Sequence, residues 1–151
     1  MKITEFLEPT AIIDDLVGST PQEVLTDLCR PLAASTGVNR ERMVEALLTR
    51  EQLAPTAVGE GLAIPHCKMA GLRGLVAGFG RSRAGVDFKA PDARPAELFF
   101  ALLVPEDGRG VHLKALARIS RLFKAAEFRE SVLKAKDAAE IYQLMVAEDA
   151  K

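Results

Sequence analysis

The chain has 151 residues and a mass of 16.3 kDa, which is the size of one domain. Hydrophobic residues make up 48% and charged residues 27%, a balance that is typical of a soluble globular domain and excludes a disordered or low-complexity protein. Twenty basic residues against twenty-one acidic ones give a net charge of −1, so nucleic acid is not expected as a partner.

Neither the apolar segments nor the cysteines indicate a membrane or secreted protein. The longest stretch without a charged residue, 31–39, has nine residues, whereas a membrane-spanning helix needs about 20. The first residues include acidic side chains and lack the apolar run of a secretory signal. Cys29 and Cys67 are too few for a disulfide framework. We therefore expect no membrane span and a location in a reducing cytoplasm.

The first third of the chain predicts one short strand and two helices. The strand is expected at 10–16. Thr20 is a helix cap, and apolar residues follow it at helical spacing as far as Gly37. Pro31 lies inside this pattern and is expected to bend or break the helix. Asn39 then caps a second helix.

The middle and the end of the chain predict strands followed by helices. Short apolar runs at 62–65, 75–79 and 98–104 are typical of strands, and the last does not alternate, which favours a central strand covered on both faces. A long helix is predicted at about 110–126, and Asp137 caps a final helix. The pattern predicts an α/β domain with helices packed on a sheet.

His66 is the first residue that could carry chemistry. It follows Pro65 at the end of a short apolar strand, and the glycines at 59 and 61 allow a tight backbone turn before that strand. A titratable ring in this position suits an active site at a sheet edge. The alternative is an ordinary histidine in a loop after a strand.

His112 is the second such residue and the only other histidine. It lies in the first turn of the helix after strand 98–104, on the same side as Ala115 and Leu116, and is therefore expected to point inward. A core histidine with no function would show the same pattern. The helix N-terminus, however, favours an anion near His112.

Together, the two histidines could hold a phosphoryl group. A neutral imidazole is a competent nucleophile near pH 7, and a hydrogen bond at one ring nitrogen leaves the other free to attack. Two alternatives remain open at this point: a zinc site made by His66, Cys67 and His112, and nucleophilic chemistry at Cys67. The usual zinc-ligand spacing is absent, and Cys67 is expected to be a small packed side chain.

Two segments carry these histidines in a fixed order along the chain. Gly-Glu-Gly-Leu-Ala-Ile-Pro-His occupies 59–66, and Leu-Phe-Phe-Ala-Leu-Leu-Val-Pro occupies 98–105, followed by His112 in the long helix. These segments resemble the two signature blocks of enzyme IIA of the bacterial phosphoenolpyruvate-dependent phosphotransferase system, fructose/mannitol class. The segment Glu-Phe-Leu-Glu-Pro at 5–9 and the short stand-alone chain look most like the nitrogen-regulatory branch.

The resemblance implies a fold and a set of site residues. The family fold is a single α/β domain with a mixed β-sheet flanked by helices, expected over 1–151 with its core at about 10–148. His66 matches the phosphoacceptor, and His112 matches a second histidine that orients or stabilises the phosphoryl group. Arg50 matches an arginine that contacts the phosphate; without the family it is a surface charge paired with Glu51. Thr56 matches a supporting hydroxyl near the site.

The resemblance also implies partners. Phosphoryl would come from a histidine phosphocarrier protein at a shallow site with an apolar rim, with no cofactor and no metal. In the regulatory branch, phosphorylation controls binding to target proteins of nitrogen or potassium regulation. The alternative is a sugar-transport enzyme IIA that passes phosphoryl to a cysteine of an enzyme IIB, and the lack of an attached enzyme IIB or membrane domain favours regulation. A non-enzymatic binding module or a metal-binding protein is a third possibility. Cys67 stands where many family members have glycine, which bears on the loop after His66.

Overall fold

A computed structural model describes residues 1–151 and contains one mixed sheet of six strands. The strands are β1 (Leu7–Ile13), β2 (Ala57–Gly59), β3 (Leu62–Ala63), β4 (His66–Met69), β5 (Val76–Val86) and β6 (Ala96–Pro105). The long strand β6 lies in the middle: β5 pairs antiparallel with one edge, while β3 and β4 pair parallel with the other. β1 extends the sheet beyond β5 in parallel, and β2 extends it beyond β3 in antiparallel. The predicted mixed sheet is confirmed.

Five helices accompany this sheet in two groups. They are α1 (Pro21–Thr36), α2 (Arg40–Leu53), α3 (Val111–Leu122), α4 (Ala126–Lys134) and α5 (Ala138–Asp149), and a short 3-10 turn, Ile3–Glu5, precedes the first strand. α1 and α2 pack on each other and on β5 and β4, whereas α3 and α5 contact β6 and β1. All but one residue of β6 are buried, as predicted for a strand covered on both faces.

The helix starts follow from local sequence. Thr20 accepts a hydrogen bond from the backbone N–H of Glu23, and Asn39 accepts one from Arg42. Asp137 caps the final helix in the same way. These caps confirm the predicted starts, because each side chain satisfies a backbone N–H that has no partner within the helix.

Pro31 does not break the first helix, which continues to Thr36 and ends at Gly37 with a φ of 75°. The proline removes one backbone hydrogen bond. Its neighbours Leu28, Cys29 and Leu32 are fully buried, and this packing holds the helix through the defect.

The other helix boundaries also differ from the sequence predictions. The helix predicted at about 110–126 ends at Leu122, and a separate helix, α4, follows it. Phe123 turns into the core, where its ring stacks on Phe79 at 5.8 Å. Arg129 donates to the carbonyl oxygen of Phe123 at 2.7 Å and to that of Lys124 at 2.9 Å, which satisfies the end of α3.

The strands differ from prediction at their ends. β1 spans Leu7–Ile13 rather than 10–16, because the chain leaves the sheet at Asp14 to meet Arg81. β5 extends far beyond the predicted 75–79, and the short strands β2 and β4 were not predicted. The predicted strand 62–65 is interrupted after Ala63, since Pro65 has no N–H for the ladder.

Arg81 joins the sheet to the end of α4. Its side chain is fully buried, and its guanidinium donates to the backbone oxygens of Val132 at 2.8 Å and Ala135 at 2.7 Å, at the end of α4. The same group donates to the Asp14 carbonyl oxygen at 2.9 Å and forms an ion pair with the Asp14 carboxylate. A buried arginine is tolerated because its donors have acceptors.

None of the helices has both the length and the apolar character needed to cross a membrane.

We expect Arg81→Met to lower the free energy of unfolding by about 3 kcal/mol, since it leaves Asp14 and the end of α4 without a donor. Urea denaturation followed by circular dichroism measures the change. The control is Arg83→Met: the Arg83 side chain is 57% exposed and lies 3.7 Å from the same carboxylate. That exposed pair should contribute less than about 1 kcal/mol. Equal losses in the two variants would contradict this account of Arg81.

Candidate active site

The backbone that leads to His66 begins with a tight turn between β2 and β3. Gly59, Glu60 and Gly61 all have positive φ, at 95°, 57° and 79°, a conformation that glycine adopts without strain. The carbonyl oxygen of Gly61 accepts from the N–H groups of Glu97 at 2.8 Å and Leu98 at 3.0 Å. The turn therefore delivers the chain directly to the edge of the central strand.

Pro65 joins two strand segments along that edge. Leu62 and Ala63 pair with the first half of β6, and His66 pairs with Leu102 in the second half. Between them, Leu102 donates its N–H to the Pro65 carbonyl oxygen at 2.8 Å. His66 therefore begins a strand rather than following one, and its backbone is fixed by the central strand.

The imidazole of His66 is held by its own chain. Nδ1 lies 2.7 Å from the carbonyl oxygen of Ile64, two residues earlier. A carbonyl oxygen only accepts, so Nδ1 carries the proton and Nε2 has a free lone pair. Nε2 is therefore the free nitrogen of this half-buried ring.

Burial lowers the pKa of His66 below its ordinary value of 6.5, and the charge of Arg50, together with that of His112 when it is protonated, lowers it further. The hydrogen bond to Ile64 and the negative charge of Glu51 act in the opposite direction on this pKa. Because the net shift is downward, the ring is neutral at pH 7 and its Nε2 lone pair is available.

Arg50 reaches the site from the last turn of α2. Its guanidinium donates to the Ala54 carbonyl oxygen at 2.9 Å, and its positive charge lowers the pKa of His66. The surface pair with Glu51, which the isolated sequence suggested, does not form; Glu51 accepts hydrogen bonds from Thr56 instead.

Thr56 is buried between this helix and β2, with 6% of its surface exposed. Its N–H donates to one carboxylate oxygen of Glu51 at 2.8 Å, and its hydroxyl donates to the other at 2.5 Å. The hydroxyl proton is therefore engaged by Glu51. Sequence reasoning missed Glu51, and the only available signal was its five-residue distance from Thr56 across a helix end.

His112 lies in the first turn of α3, just after Gly110, and is half-buried as its predicted inward direction requires. Its Nδ1 is buried and has no hydrogen-bond partner. A proton on Nδ1 would be buried without an acceptor, so the favoured neutral form carries the proton on Nε2. His112 also contributes to the lowering of the pKa of His66.

Cys67 is a packed side chain rather than a reactive one. Neighbouring strand residues point to opposite faces, so Cys67 turns away from His66 into the core, where it is 8% exposed. Burial raises the pKa of its thiol to about 12, so it carries no thiolate at neutral pH. No three histidine, cysteine or acidic side chains are grouped to hold a metal ion, so the suggested zinc site of His66, Cys67 and His112 is not formed.

Three exposed apolar side chains lie close in the sequence to the predicted site residues. Leu53, Val58 and Leu113 are 80%, 54% and 62% exposed and lie within three residues of Arg50, Thr56 and His112 in the sequence. A cavity of about 550 Å³ lies elsewhere, between β1, the end of α1 and the start of β5. The arrangement suits a macromolecular partner that covers the histidines rather than a small molecule in a deep pocket.

Comparison with known proteins assigns a family to nearly the whole chain. The family model described as "Phosphoenolpyruvate-dependent sugar phosphotransferase system, EIIA 2" matches residues 5–147. A nitrogen regulatory protein of Bradyrhizobium diazoefficiens is 39% identical over 145 residues, which cover 96% of this chain and 95% of the relative. The PTS system fructose-specific EIIABC component of Bacillus subtilis is 35% identical over 150 residues, which cover 99% of this chain and 24% of that protein.

The fold has a matching neighbour among solved structures. The crystal structure of nitrogen regulatory protein IIA-Ntr from Neisseria meningitidis superposes with a TM-score of 0.86 at 34% sequence identity. The superposition covers 95% of this chain and 98% of that one.

We expect Arg50→Met to raise the pKa of His66, because the variant removes a positive charge that disfavours the imidazolium. Methionine keeps an apolar stem of similar length, so burial changes little. An NMR titration of the imidazole carbon-bound protons measures the midpoint. The control, Arg42→Met, lies two turns earlier on the same helix and should leave the midpoint unchanged. A midpoint that stays fixed or falls in Arg50→Met would contradict the assignment of Arg50 to the site.

Proposed function

This chain belongs to the EIIA 2 family of the phosphoenolpyruvate-dependent sugar phosphotransferase system, and on that premise we propose that His66 accepts a phosphoryl group from the histidine of a phosphocarrier protein. The observation that carries the proposal is the hydrogen bond between Nδ1 of His66 and the carbonyl oxygen of Ile64. It leaves Nε2 as a neutral nucleophile beside Arg50 and His112.

In the transfer step, the Nε2 lone pair of His66 attacks phosphorus. A new N–P bond forms while the N–P bond of the carrier breaks, and its electron pair returns to the carrier's imidazole. The proton of His66 stays on Nδ1 throughout and remains hydrogen-bonded to the Ile64 carbonyl oxygen. No cofactor takes part, because one imidazole replaces another and the exchange is close to balanced in energy.

In this proposal, Arg50 and His112 stabilise the negative charge of the phosphoryl group during transfer. Phosphoryl transfer depends mainly on positioning and on neutralising the charge of the three phosphoryl oxygens. The guanidinium of Arg50 offers a positive charge, and the Nε2–H of His112 offers a hydrogen-bond donor near the N-terminus of α3. Thr56 supports the site indirectly, since its hydroxyl proton is used by Glu51.

The apolar side chains around the site would be covered by the carrier. Leu53, Val58 and Leu113 offer exposed surface that a partner can bury. Burial of this surface excludes water while the phosphoryl group moves, which strengthens each charge interaction and prevents hydrolysis.

We further propose that phosphorylation of His66 regulates binding to target proteins of nitrogen or potassium control. The support is similarity to nitrogen regulatory proteins along nearly their whole length. A phosphoryl group brings about two negative charges to the surface at His66, and this changes which proteins bind there. Such a protein works in the cytoplasm, where the carrier is phosphorylated.

A second candidate is transfer from His66 to the cysteine of an enzyme IIB in sugar transport. The observation in its favour is the 35% identity to the fructose-specific component of Bacillus subtilis. Rapid loss of phosphoryl from phosphorylated protein on mixing with an enzyme IIB from the same organism would support it, whereas stable phosphoprotein would favour regulation.

The test of the main proposal is the intact mass after incubation with phosphoenolpyruvate, enzyme I and the phosphocarrier at pH 8, where phosphohistidine survives. We expect one added phosphoryl group on the wild type and none on His66→Ala. His112→Leu should be phosphorylated about a hundredfold more slowly, because it loses one donor to the transferring group. An unmodified wild type with an active carrier, or a fully modified His66→Ala, would contradict the proposal.

A further inference from the structure

Glu51 lies at the start of a chain of hydrogen bonds that ends at the reactive ring. Its two carboxylate oxygens accept from the N–H and the hydroxyl of Thr56 at 2.8 and 2.5 Å. The Thr56 carbonyl oxygen accepts from the N–H of Ile64 at 3.1 Å, and the Ile64 carbonyl oxygen accepts from Nδ1 of His66 at 2.7 Å. Three links therefore connect Glu51 to His66.

These links determine where the Ile64 carbonyl points. Ile64 is fixed at its N–H by Thr56, and Pro65 is fixed at its carbonyl oxygen by the N–H of Leu102 at 2.8 Å. The Ile64 carbonyl lies between these two points, and the ring of Pro65 restricts the remaining backbone rotation. If Glu51 no longer holds Thr56, the N–H of Ile64 loses its fixed partner, and the Ile64 carbonyl can turn away from the imidazole.

Glu51 binds Thr56 through both of its carboxylate oxygens. A bidentate, charge-assisted contact restricts rotation more than a single neutral hydrogen bond does. Thr56 is buried, so its N–H has no water to replace the carboxylate. Glu51 is also close enough for its charge to act on His66.

We propose that Glu51 is a positioning residue for phosphoryl transfer: through Thr56 and Ile64 it keeps the proton of His66 on Nδ1 and the lone pair on Nε2. The proposal rests on the proposed function only for its effect on rate. The placement of the proton is a property of the unphosphorylated protein. Glu51 itself need not touch the phosphoryl group.

The experiment compares Glu51→Ala, Glu51→Gln and wild type by two-bond 1H–15N NMR of the unphosphorylated protein at pH 8, where His66 is neutral. This spectrum shows which ring nitrogen carries the proton. The rate of phosphorylation by the carrier is measured at the same pH. Glutamine keeps a carbonyl oxygen for the Thr56 N–H and an amide that can bond the hydroxyl, so it preserves the contact without the charge.

We expect Glu51→Ala to populate both ring forms of His66 and to slow phosphorylation about tenfold or more, because the nucleophile is misplaced. Glu51→Gln should restore the Nδ1 proton and most of the rate. A matched control for lost stability alone is Asp137→Ala, which removes the cap of α5, a hydrogen bond of 2.9 Å far from the site along the chain. It should leave the ring form unchanged.

The proposal would be overturned if folded Glu51→Ala still had His66 protonated only on Nδ1. It would also be overturned if Glu51→Gln showed the same mixture of ring forms as Glu51→Ala. Thr56→Val keeps the backbone N–H but not the hydroxyl, so it should give a smaller effect of the same kind, and it provides the test if Glu51→Ala does not fold. Failure of the wild type to accept phosphoryl would remove the proposed function, while the ring forms would still decide the role of Glu51.

Discussion

The hydrogen bond between Nδ1 of His66 and the Ile64 carbonyl oxygen, 2.7 Å long, determines which ring nitrogen has a free lone pair. It forms because Pro65 interrupts the ladder between β3 and β4 and leaves the preceding carbonyl free to turn toward the side chain. The central strand supplies the fixed frame, since it pairs with Leu62 and Ala63 before the interruption and with His66 after it. The interruption between the two strands thus orients the ring of His66 with Nε2 free.

The electrostatics of the site follow from the same placement. Burial, Arg50 and His112 lower the pKa of His66, while Glu51 and the Ile64 carbonyl act against them. In the proposed transfer, the positive charge of Arg50 that disfavours the imidazolium would also favour the negative charge of the phosphoryl group. A histidine in this setting needs no separate base, unlike a serine hydroxyl.

The sequence predicted the parts of the molecule that depend on local chemistry. Caps at Thr20, Asn39 and Asp137 were found because a cap is decided by residues three apart. The unbroken apolar run around Phe100 identified the central strand for a similar reason. The strand β4 was missed, because its four residues owe their conformation to pairing with β6 rather than to their own pattern. The continuation of α1 through Pro31 was also missed, since tertiary packing outweighs the lost hydrogen bond.

The site likewise contains residues that sequence motifs identify and contacts that only the complete fold creates. The two histidines were recognised from their motifs, and the family resemblance implied that both act on one phosphoryl group. The contact of Glu51 with Thr56 could not be deduced, because it joins the end of a helix to the start of a strand across a loop whose path is set by the whole fold. The unpartnered Nδ1 of His112 likewise depends on how α3 packs.

The central proposal is that Nε2 of His66 accepts the phosphoryl group while Nδ1 keeps its proton and donates a hydrogen bond to the Ile64 carbonyl oxygen. The most direct measurement is 31P–15N and 1H–15N NMR of the phosphorylated, 15N-labelled protein at pH 8. The account predicts phosphorus bonded to Nε2 of His66, with Nδ1 of the same ring bearing a hydrogen. Phosphorus on Nδ1 of His66, or on either nitrogen of His112, would contradict it.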